Sequence, residues 1–158
     1  MNMKAIDENY LLAGYESGEL VLFEVRGFGE VSRLGLFEGQ PLMCLDYSKT
    51  KNFGCCGSTE NEMNQFRIEG CLSRAGKAIE LTNPGVNCLK IRQSDSKVLA
   101  TGGWDYRVRL FGTKKQNGLA VLCFHKSAVN AIDFSAGNLM AAGSSDGVVS
   151  FWDLYAGN

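Results

Sequence analysis

His125 is the only histidine in the 158-residue chain, and it is the first residue whose type suggests chemistry. An imidazole can act as a general base beside a nucleophile, or as a metal ligand beside other cysteine, histidine or carboxylate ligands. The sequence places no such cluster near His125. We therefore expect a chain that is not an enzyme, with no catalytic residue, no metal and no cofactor.

The six cysteines do not have the spacing of a metal site or of a disulfide framework. There is no CxxC pair, and the N-terminal segment MNMKAIDENYLLAGYESG is acidic where a secretory signal is basic. We interpret the cysteines as buried free thiols. The segment GCLSRAGKA, residues 70–78, approaches the pattern of a phosphate-binding loop, but it has one residue too many between its glycines and Ala78 where a Ser or Thr should meet magnesium. Neither feature indicates a ligand site.

The composition argues against several other classes of function. Although 45% of the residues are hydrophobic, no apolar run is long enough to cross a bilayer. The formal net charge is −1, and the Lys and Arg residues of the mildly basic middle section alternate with apolar residues, as on the wet side of strands. We expect a chain of the cytoplasm, the nucleus or both, whose partners are other proteins and not a membrane, a nucleic acid or a small-molecule substrate.

A glycine followed nine residues later by an aromatic residue recurs four times, at intervals of a little over forty residues. The glycines are Gly14, Gly57, Gly102 and Gly143, and the aromatic residues are Phe23, Phe66, Phe111 and Trp152. A period of about 40 to 45 residues is typical of propeller blades of the WD-repeat kind. Turn residues such as Glu16-Ser17-Gly18 and Ser145-Asp146-Gly147 separate the short apolar runs. The pattern predicts an all-β chain without helices.

A second register agrees with the first. The segments LMCLDY (42–47), VNCLKI (86–91) and VNAIDF (129–134) are equivalent, with Cys44, Cys88 and Ala131 in matching places. Small residues at one repeat position indicate close packing and not a redox pair. We predict about four antiparallel four-stranded blades, over residues 1–37, 42–81, 86–124 and 129–155, with "GKAIEL" (76–81) as the outer strand of the second blade. The last blade lacks an outer strand.

The strand count bears on ring closure. A closed ring of four blades requires sixteen strands, and the sequence predicts fourteen. Residues 1–8 could add one more strand, either as the first inner strand or as the last outer strand. We expect this partial β-propeller to be the C-terminal half of a ring of about seven blades, with the closing strand encoded upstream of Met1. An open arc leaves two blade faces wet, so the isolated chain should associate.

Five stretches, taken in order, resemble one WD-repeat family. They are LLAGYESGELVLFEV (11–25), ELTNPGV (80–86), VLATGGWDYRVRLF (98–111), LAVLCFHKSAVNAIDFS (119–135) and LMAAGSSDGVVSFWDLY (139–155). The chain is similar to the guanine nucleotide-binding protein beta subunit-like protein 1 group, which is related to the fungal ASTRA-associated protein 1. Residues 48–78 depart from the pattern.

The resemblance implies a structural role for the histidine. WD repeats of this type use a histidine, a turn aspartate, a Ser or Thr and a tryptophan as a buried hydrogen-bond network, which satisfies both imidazole nitrogens. The members expected here are His125, Ser144, Asp146 and Trp152. Asp105 is the equivalent turn aspartate one blade earlier, where Thr82 replaces the histidine and leaves a partial network.

Several large residues fall in connections that open on one end of a propeller. The candidate partner-binding rim consists of Tyr15, Asn83, Pro84, Trp104, Tyr106 and Arg107. Aromatic and arginine side chains are enriched at binding hot spots. Large residues in turns can equally serve to cover neighbouring blades, and the sequence leaves both interpretations open.

The resemblance implies a non-enzymatic scaffold that works with the chaperone-linked assembly maturing phosphatidylinositol-3-kinase-like protein kinases, in DNA-damage and growth signalling. Two alternatives remain: a G-protein beta-like signalling subunit, and an inert partial chain.

Overall fold

The computed structural model describes residues 1–154, and these residues form sixteen β-strands and no helix. Within this range there is accordingly no helix long and apolar enough to cross a membrane. Tyr155, the last residue of the predicted fourth blade, lies outside the described residues. The prediction of an all-β chain is confirmed.

The strands form four antiparallel sheets. The first sheet contains β1 (Asn2–Ala5), β2 (Tyr10–Gly14), β3 (Glu19–Glu24) and β4 (Gly29–Gly35). The second contains β5 (Leu42–Ser48), β6 (Phe53–Ser58), β7 (Glu62–Glu69), β8 (Cys71–Arg74) and β9 (Ile79–Glu80). The third contains β10 (Val86–Ile91), β11 (Val98–Gly103), β12 (Val108–Gly112) and β13 (Gly118–Leu122), and the fourth contains β14 (Val129–Phe134), β15 (Leu139–Ser144) and β16 (Val149–Asp153).

Residues 2–5 take the innermost position of the first sheet. Their strand β1 pairs with β2 in an antiparallel register in which Asn2 lies opposite Gly14 and Lys4 opposite Leu12. Of the two positions considered for the N-terminal segment, the structure thus has the first inner strand.

The outer edge of the second sheet corrects one sequence prediction. The segment "GKAIEL" contributes only Ile79–Glu80 to the sheet, and the main outer strand is Cys71–Arg74. Both pieces pair with the long strand β7. Gly76 between them has a left-handed backbone (φ 70°), and the carbonyl of Lys77 accepts a hydrogen bond from the Gln65 side chain instead of a ladder bond. The outer ladder is therefore interrupted.

The chain divides into two compact units, Met1–Val86 and a second unit that begins at Asn87. The core of the first unit lies between the first two sheets: Leu12, Leu20 and Leu22 of the first sheet belong to one buried cluster with Leu45 and Phe66 of the second. These residues alternate along their strands with residues of the other face, so each sheet directs an apolar side toward its neighbour. The cluster holds the two sheets together.

The core of the second unit repeats this arrangement between the third and fourth sheets. Val108 and Leu110 belong to a buried cluster with Ile132, Met140 and Ala142. Close approach of the two sheets requires glycine at position 102, because a methyl group added there would lie 2.6 Å from Cγ1 of Val129. The repeated glycine of the sequence therefore marks the joint between consecutive sheets.

Candidate functional site

His125 lies just before β14, and the fourth sheet surrounds it with polar partners. Asp146 lies in the turn between β15 and β16, while Ser150 and Trp152 are on β16 with one residue between them. Because side chains two apart on a strand share a face, Ser150 and Trp152 point to the same side of the sheet. The His125 side chain is buried on that side.

Each ring nitrogen of His125 has a partner. Nδ1 lies 3.3 Å from Oδ2 of Asp146, and Nε2 lies 2.8 Å from Oγ of Ser150. The same Ser150 oxygen accepts a hydrogen bond from Nε1–H of Trp152 at 2.9 Å. The ring of Phe124 also packs edge-on against both the imidazole and the indole. An imidazole whose two nitrogens both have protein partners is suited to holding the sheet.

The serine of this network differs from the predicted one. Ser144 was the expected member, but its hydroxyl donates to the carbonyl of Ser127 at 2.9 Å and accepts from the Asp146 amide at 3.3 Å. Ser144 is the last residue of β15, at the mouth of the turn, whereas Ser150 lies opposite Ala142 in the middle of the sheet. Only the latter position reaches the imidazole.

Besides contacting His125, the Asp146 carboxylate binds backbone amides in and near its turn. It accepts hydrogen bonds from the amides of Lys126 at 2.9 Å and Val148 at 3.0 Å. The Lys126 amide bond is the main cause that lowers the pKa of Asp146 below the ordinary aspartate value, and His125 adds to the effect. The carboxylate is therefore charged at neutral pH and ties the segment before β14 to the turn.

Asp105, the equivalent aspartate of the third sheet, has a different partner. Its carboxylate forms a two-bonded ion pair with the guanidinium of Arg109 on β12, with Arg109 Nη1 3.0 Å from Oδ1. Arg109 is buried. The partial network predicted around Asp105 thus contains an arginine that the sequence reading missed.

Ser150 and Arg109 occupy the same position of the repeat, which the sequence analysis did not single out. Both stand seven residues after the repeated glycine of their sheets, and Asn64 stands there in the second sheet. All three side chains are buried. A polar residue recurring at one position of the third strand in successive sheets was the signal that could have identified both.

The turn between β11 and β12 exposes large side chains. Trp104 and Tyr106 retain 43% and 48% of their accessible surface, and Arg107 is exposed beside them. The Gly103 amide donates a hydrogen bond to the Arg107 carbonyl across the turn at 3.1 Å, and Tyr106 has a left-handed backbone with φ 69°. A bulky residue is uncommon in that region and persists only where the surroundings impose it.

The Asp105–Arg109 ion pair is one such constraint. It fixes Asp105, the residue between the two aromatic side chains, to the buried part of β12. A rigid turn loses little conformational entropy when it binds, so exposed aromatic residues on it can contact a partner at low cost. The three residues Trp104, Tyr106 and Arg107 are called the aromatic turn below.

The other three predicted rim residues belong to the first unit. The Tyr15 ring lies under the guanidinium of Arg33, with Cζ 5.8 Å from the ring centroid, and is half-buried. Asn83 is half-buried and Pro84 exposed, in the turn before β10, where the Gly85 amide donates to the Glu60 carbonyl. Tyr15 is thus already engaged within its own sheet, and Pro84 presents a small surface.

The cysteines are all free, but not all are buried. Cys44, Cys55 and Cys56 are buried and Cys88 is partly buried, in keeping with the sequence interpretation. Cys71 and Cys123 are exposed, which corrects it. Cys71 opens the outer strand β8 and Cys123 follows the outer strand β13, and outermost strands have one side in water.

No group of three or more His, Cys, Asp or Glu side chains that could hold a metal ion occurs among residues 1–154. Both ring nitrogens of His125 already have protein partners. Within residues 1–154, the exposed aromatic turn is therefore the clearest candidate surface for binding another protein.

Comparison with known proteins relates the chain to repeat proteins. Residues 78–111 and 117–153 match the family described as "WD domain, G-beta repeat". Guanine nucleotide-binding protein subunit beta-like protein 1 of Mus musculus is 40% identical over 146 residues, which cover 92% of this chain and 44% of the mouse protein. The ASTRA-associated protein 1 of Schizosaccharomyces japonicus is 29% identical over 92% of this chain and 44% of that protein, and that of Schizosaccharomyces pombe is 30% identical over 94% and 45%. The chain thus spans somewhat less than half the length of these relatives.

Proposed function

Because the chain is a WD40-repeat protein related to guanine nucleotide-binding protein subunit beta-like protein 1 and to ASTRA-associated protein 1, we propose that it is a protein-interaction scaffold without enzymatic activity. WD40 repeats present loops and sheet faces to other proteins, and the one histidine of this chain forms internal hydrogen bonds. We therefore expect the chain to act by binding other proteins and not by catalysing a reaction.

The observation that carries the proposal is the aromatic turn. Trp104 and Tyr106 are held outward by a backbone that the buried Asp105–Arg109 pair keeps in place. Tryptophan, tyrosine and arginine are the residues that most often dominate binding energy at protein interfaces. The aromatic turn is therefore the primary contact, with Tyr15, Asn83 and Pro84 as secondary contacts.

The relatives support a proposed partner assembly. The fungal proteins are named as ASTRA-associated, and the resemblance stated above implies work with the chaperone-linked assembly that maintains phosphatidylinositol-3-kinase-like protein kinases. We place the chain in that assembly, in the cytoplasm or the nucleus.

Affinity purification from mouse cells expressing the tagged chain tests the proposal. A variant carrying Trp104→Ala, Tyr106→Asn and Arg107→Ala removes the aromatic turn, and asparagine tolerates the left-handed backbone at position 106. We expect the kinase-maintenance assembly to be recovered with the unaltered chain and to fall at least tenfold with the variant.

The matched control is Lys114→Ala with Lys115→Ala. These exposed residues lie in the turn between β12 and β13, at the other end of the same strand β12. The control should keep its partners. Equal recovery with the aromatic-turn variant would contradict the assigned surface, a G-protein gamma subunit would favour the signalling alternative, and general chaperones alone would indicate an inert chain.

A further inference from the structure

Consecutive sheets are joined by a recurring small-residue socket. A methyl group added to Gly57 would lie 2.6 Å from Cβ of Val86, and one added to Gly102 would lie 2.6 Å from Cγ1 of Val129. Each glycine is on the second strand of its sheet, and each valine opens the innermost strand of the next. Gly14 meets Leu42 in the same way. Glycine is needed because any side chain would occupy the space of the incoming residue.

One polar contact accompanies each socket. The residue opposite the glycine donates to a carbonyl at the start of the next sheet: Cys44 Sγ to Val86 at 3.3 Å, and Cys88 Sγ to Val129 at 3.5 Å. Asn2 donates to the carbonyl of Met43 at 3.1 Å. The joint within the first unit and the joint within the second unit therefore each carry a polar contact as well as a socket.

The fourth sheet carries the same socket at Gly143, and no atom of residues 1–154 fills it. Within that range nothing lies within 4 Å of a methyl group added to Gly143. The flanking residues Val149 and Phe151 share its face and are 57% and 67% exposed. Leu139, on the same face, is exposed too. This set, Ala131, Leu139, Gly143, Val149 and Phe151, is called the socket face.

The first sheet carries the complementary side, on which Met3, Val25 and Phe28 are exposed. Met3, Ala13 and Phe23 occupy the positions that Leu45, Cys56 and Phe66 hold in the second sheet, where these residues pack against the first. On the first sheet this side lines an apolar cavity of about 390 Å³, together with residues that include Leu11, Val25 and Phe28. The set Met3, Leu11, Ala13, Phe23, Val25 and Phe28 is called the docking face.

Charges along the innermost strands favour joining these two faces. Lys4 forms an ion pair with Asp46 at 2.7 Å across the first joint, and Lys90 forms one with Asp133 at 3.1 Å across the last. These four residues hold one repeat position, in the order lysine, aspartate, lysine, aspartate. A sheet placed after the fourth should therefore supply a lysine, and the first sheet supplies Lys4.

We infer that the socket face of one copy of this chain binds the docking face of a second copy, head to tail. The joint has the form of those within each unit: an apolar sheet side packs over the Gly143 socket, with Lys4 of the second copy set toward Asp133. Because the two faces differ, the contact is heterologous and continues to further copies unless it closes.

Sedimentation of the purified full chain over a hundredfold concentration range tests this inference. We expect concentration-dependent association of the unaltered chain. Gly143→Val fills the socket, and there is room for the valine since Gly143 has no close neighbour in the described part of the chain and no left-handed backbone. We expect its association to be weakened at least tenfold while its melting temperature stays the same or rises.

The matched control is Gly118→Val, which also adds a side chain in open space on a strand, β13, outside both faces. It should associate like the unaltered chain. An unaltered chain that is monomeric throughout, or a Gly143→Val chain that associates as strongly, would overturn the inference.

A mixing experiment distinguishes a head-to-tail contact from general adhesion. Met3→Glu charges the docking face at an exposed position and leaves the socket intact. We expect Gly143→Val and Met3→Glu chains to be monomeric separately and to form a one-to-one complex when mixed, because each retains the face that the other needs. Absence of that complex would contradict head-to-tail binding.

Discussion

Ser150 is a central hydrogen-bonding residue of the fourth sheet, because its one hydroxyl serves both an imidazole and an indole. Its oxygen lies 2.8 Å from Nε2 of His125 and 2.9 Å from Nε1 of Trp152. Removing the Ser150 hydroxyl takes a hydrogen-bond partner from both nitrogen groups. A buried polar group without a partner lowers the free energy of unfolding by more than the hydrogen bond itself contributed. The network is thus more sensitive to this small residue than its size suggests.

We expect Ser150→Ala to lower the free energy of unfolding by about 1–3 kcal/mol. Urea denaturation followed by tryptophan fluorescence measures the change. Ser145→Ala is the control: Ser145 is exposed and accepts a bond from Asn130, so its loss should cost no more than about 0.5 kcal/mol. Equal costs at the two positions would show that the network contributes nothing special.

The six cysteine thiols should react with a thiol reagent at rates that depend on their exposure. Burial raises the pKa of the Cys55 and Cys88 thiols to about 12 and that of Cys56 well above its usual value, so at pH 8 their reactive thiolates are scarce. We expect a thiol reagent to modify Cys71 and Cys123 rapidly in the folded chain, and the others only after denaturation. Peptide mass spectrometry identifies the sites, and rapid modification of Cys55 would contradict the buried placement.

At the scale of the element, the effect of replacing a repeated glycine depends on which residue of the next sheet packs against it. Gly102 and Gly143 hold the same repeat position, yet the first faces Val129 and the second has no neighbour within 4 Å among residues 1–154. The same substitution should therefore have opposite effects in neighbouring sheets.

We expect Gly102→Ala to destabilise the chain by about 1–3 kcal/mol, because the methyl group would lie 2.6 Å from Val129 and 2.7 Å from Sγ of Cys88. Gly143→Ala should be neutral or stabilising by less than about 1 kcal/mol, since it reduces the freedom of the unfolded chain without a clash. Thermal unfolding at one dilute concentration compares the two. Similar losses for both would mean that the glycines are needed for backbone reasons and not for packing between sheets.

At the scale of the whole molecule, buried apolar clusters hold each unit together, and charged groups at the surface make its stability depend on pH. The side chain of Lys49 lowers the pKa of Asp7 by a hydrogen bond, and the Lys126 amide lowers that of Asp146. Both carboxylates therefore bind protons more weakly in the folded chain than in the unfolded one.

Stability should accordingly be constant near neutral pH and fall as the pH drops below about 4, where the unfolded chain takes up protons that the folded chain does not. Lys49→Gln removes the main cause of the Asp7 shift and should reduce the slope of melting temperature against pH in this range. Arg67→Gln, which changes an exposed cation whose position lies outside that contact, should leave the slope unaltered. A steeper slope for Lys49→Gln would contradict the assignment.

The sequence by itself determined the all-β class and the positions of most strands. Alternating apolar residues, the repeated Gly-to-aromatic interval and the turn residues are local signals, and strand formation responds to local signals. The resemblance to WD repeats, and not these local signals, associated His125 with Asp146 and Trp152 as a structural group.

Only the tertiary structure decided which groups meet. Ser150 and not Ser144 reaches His125 because strand register, and not distance along the chain, sets the facing side chain. Contacts of this kind depend on how two strands or two sheets are placed against each other, and no single segment of sequence contains that information.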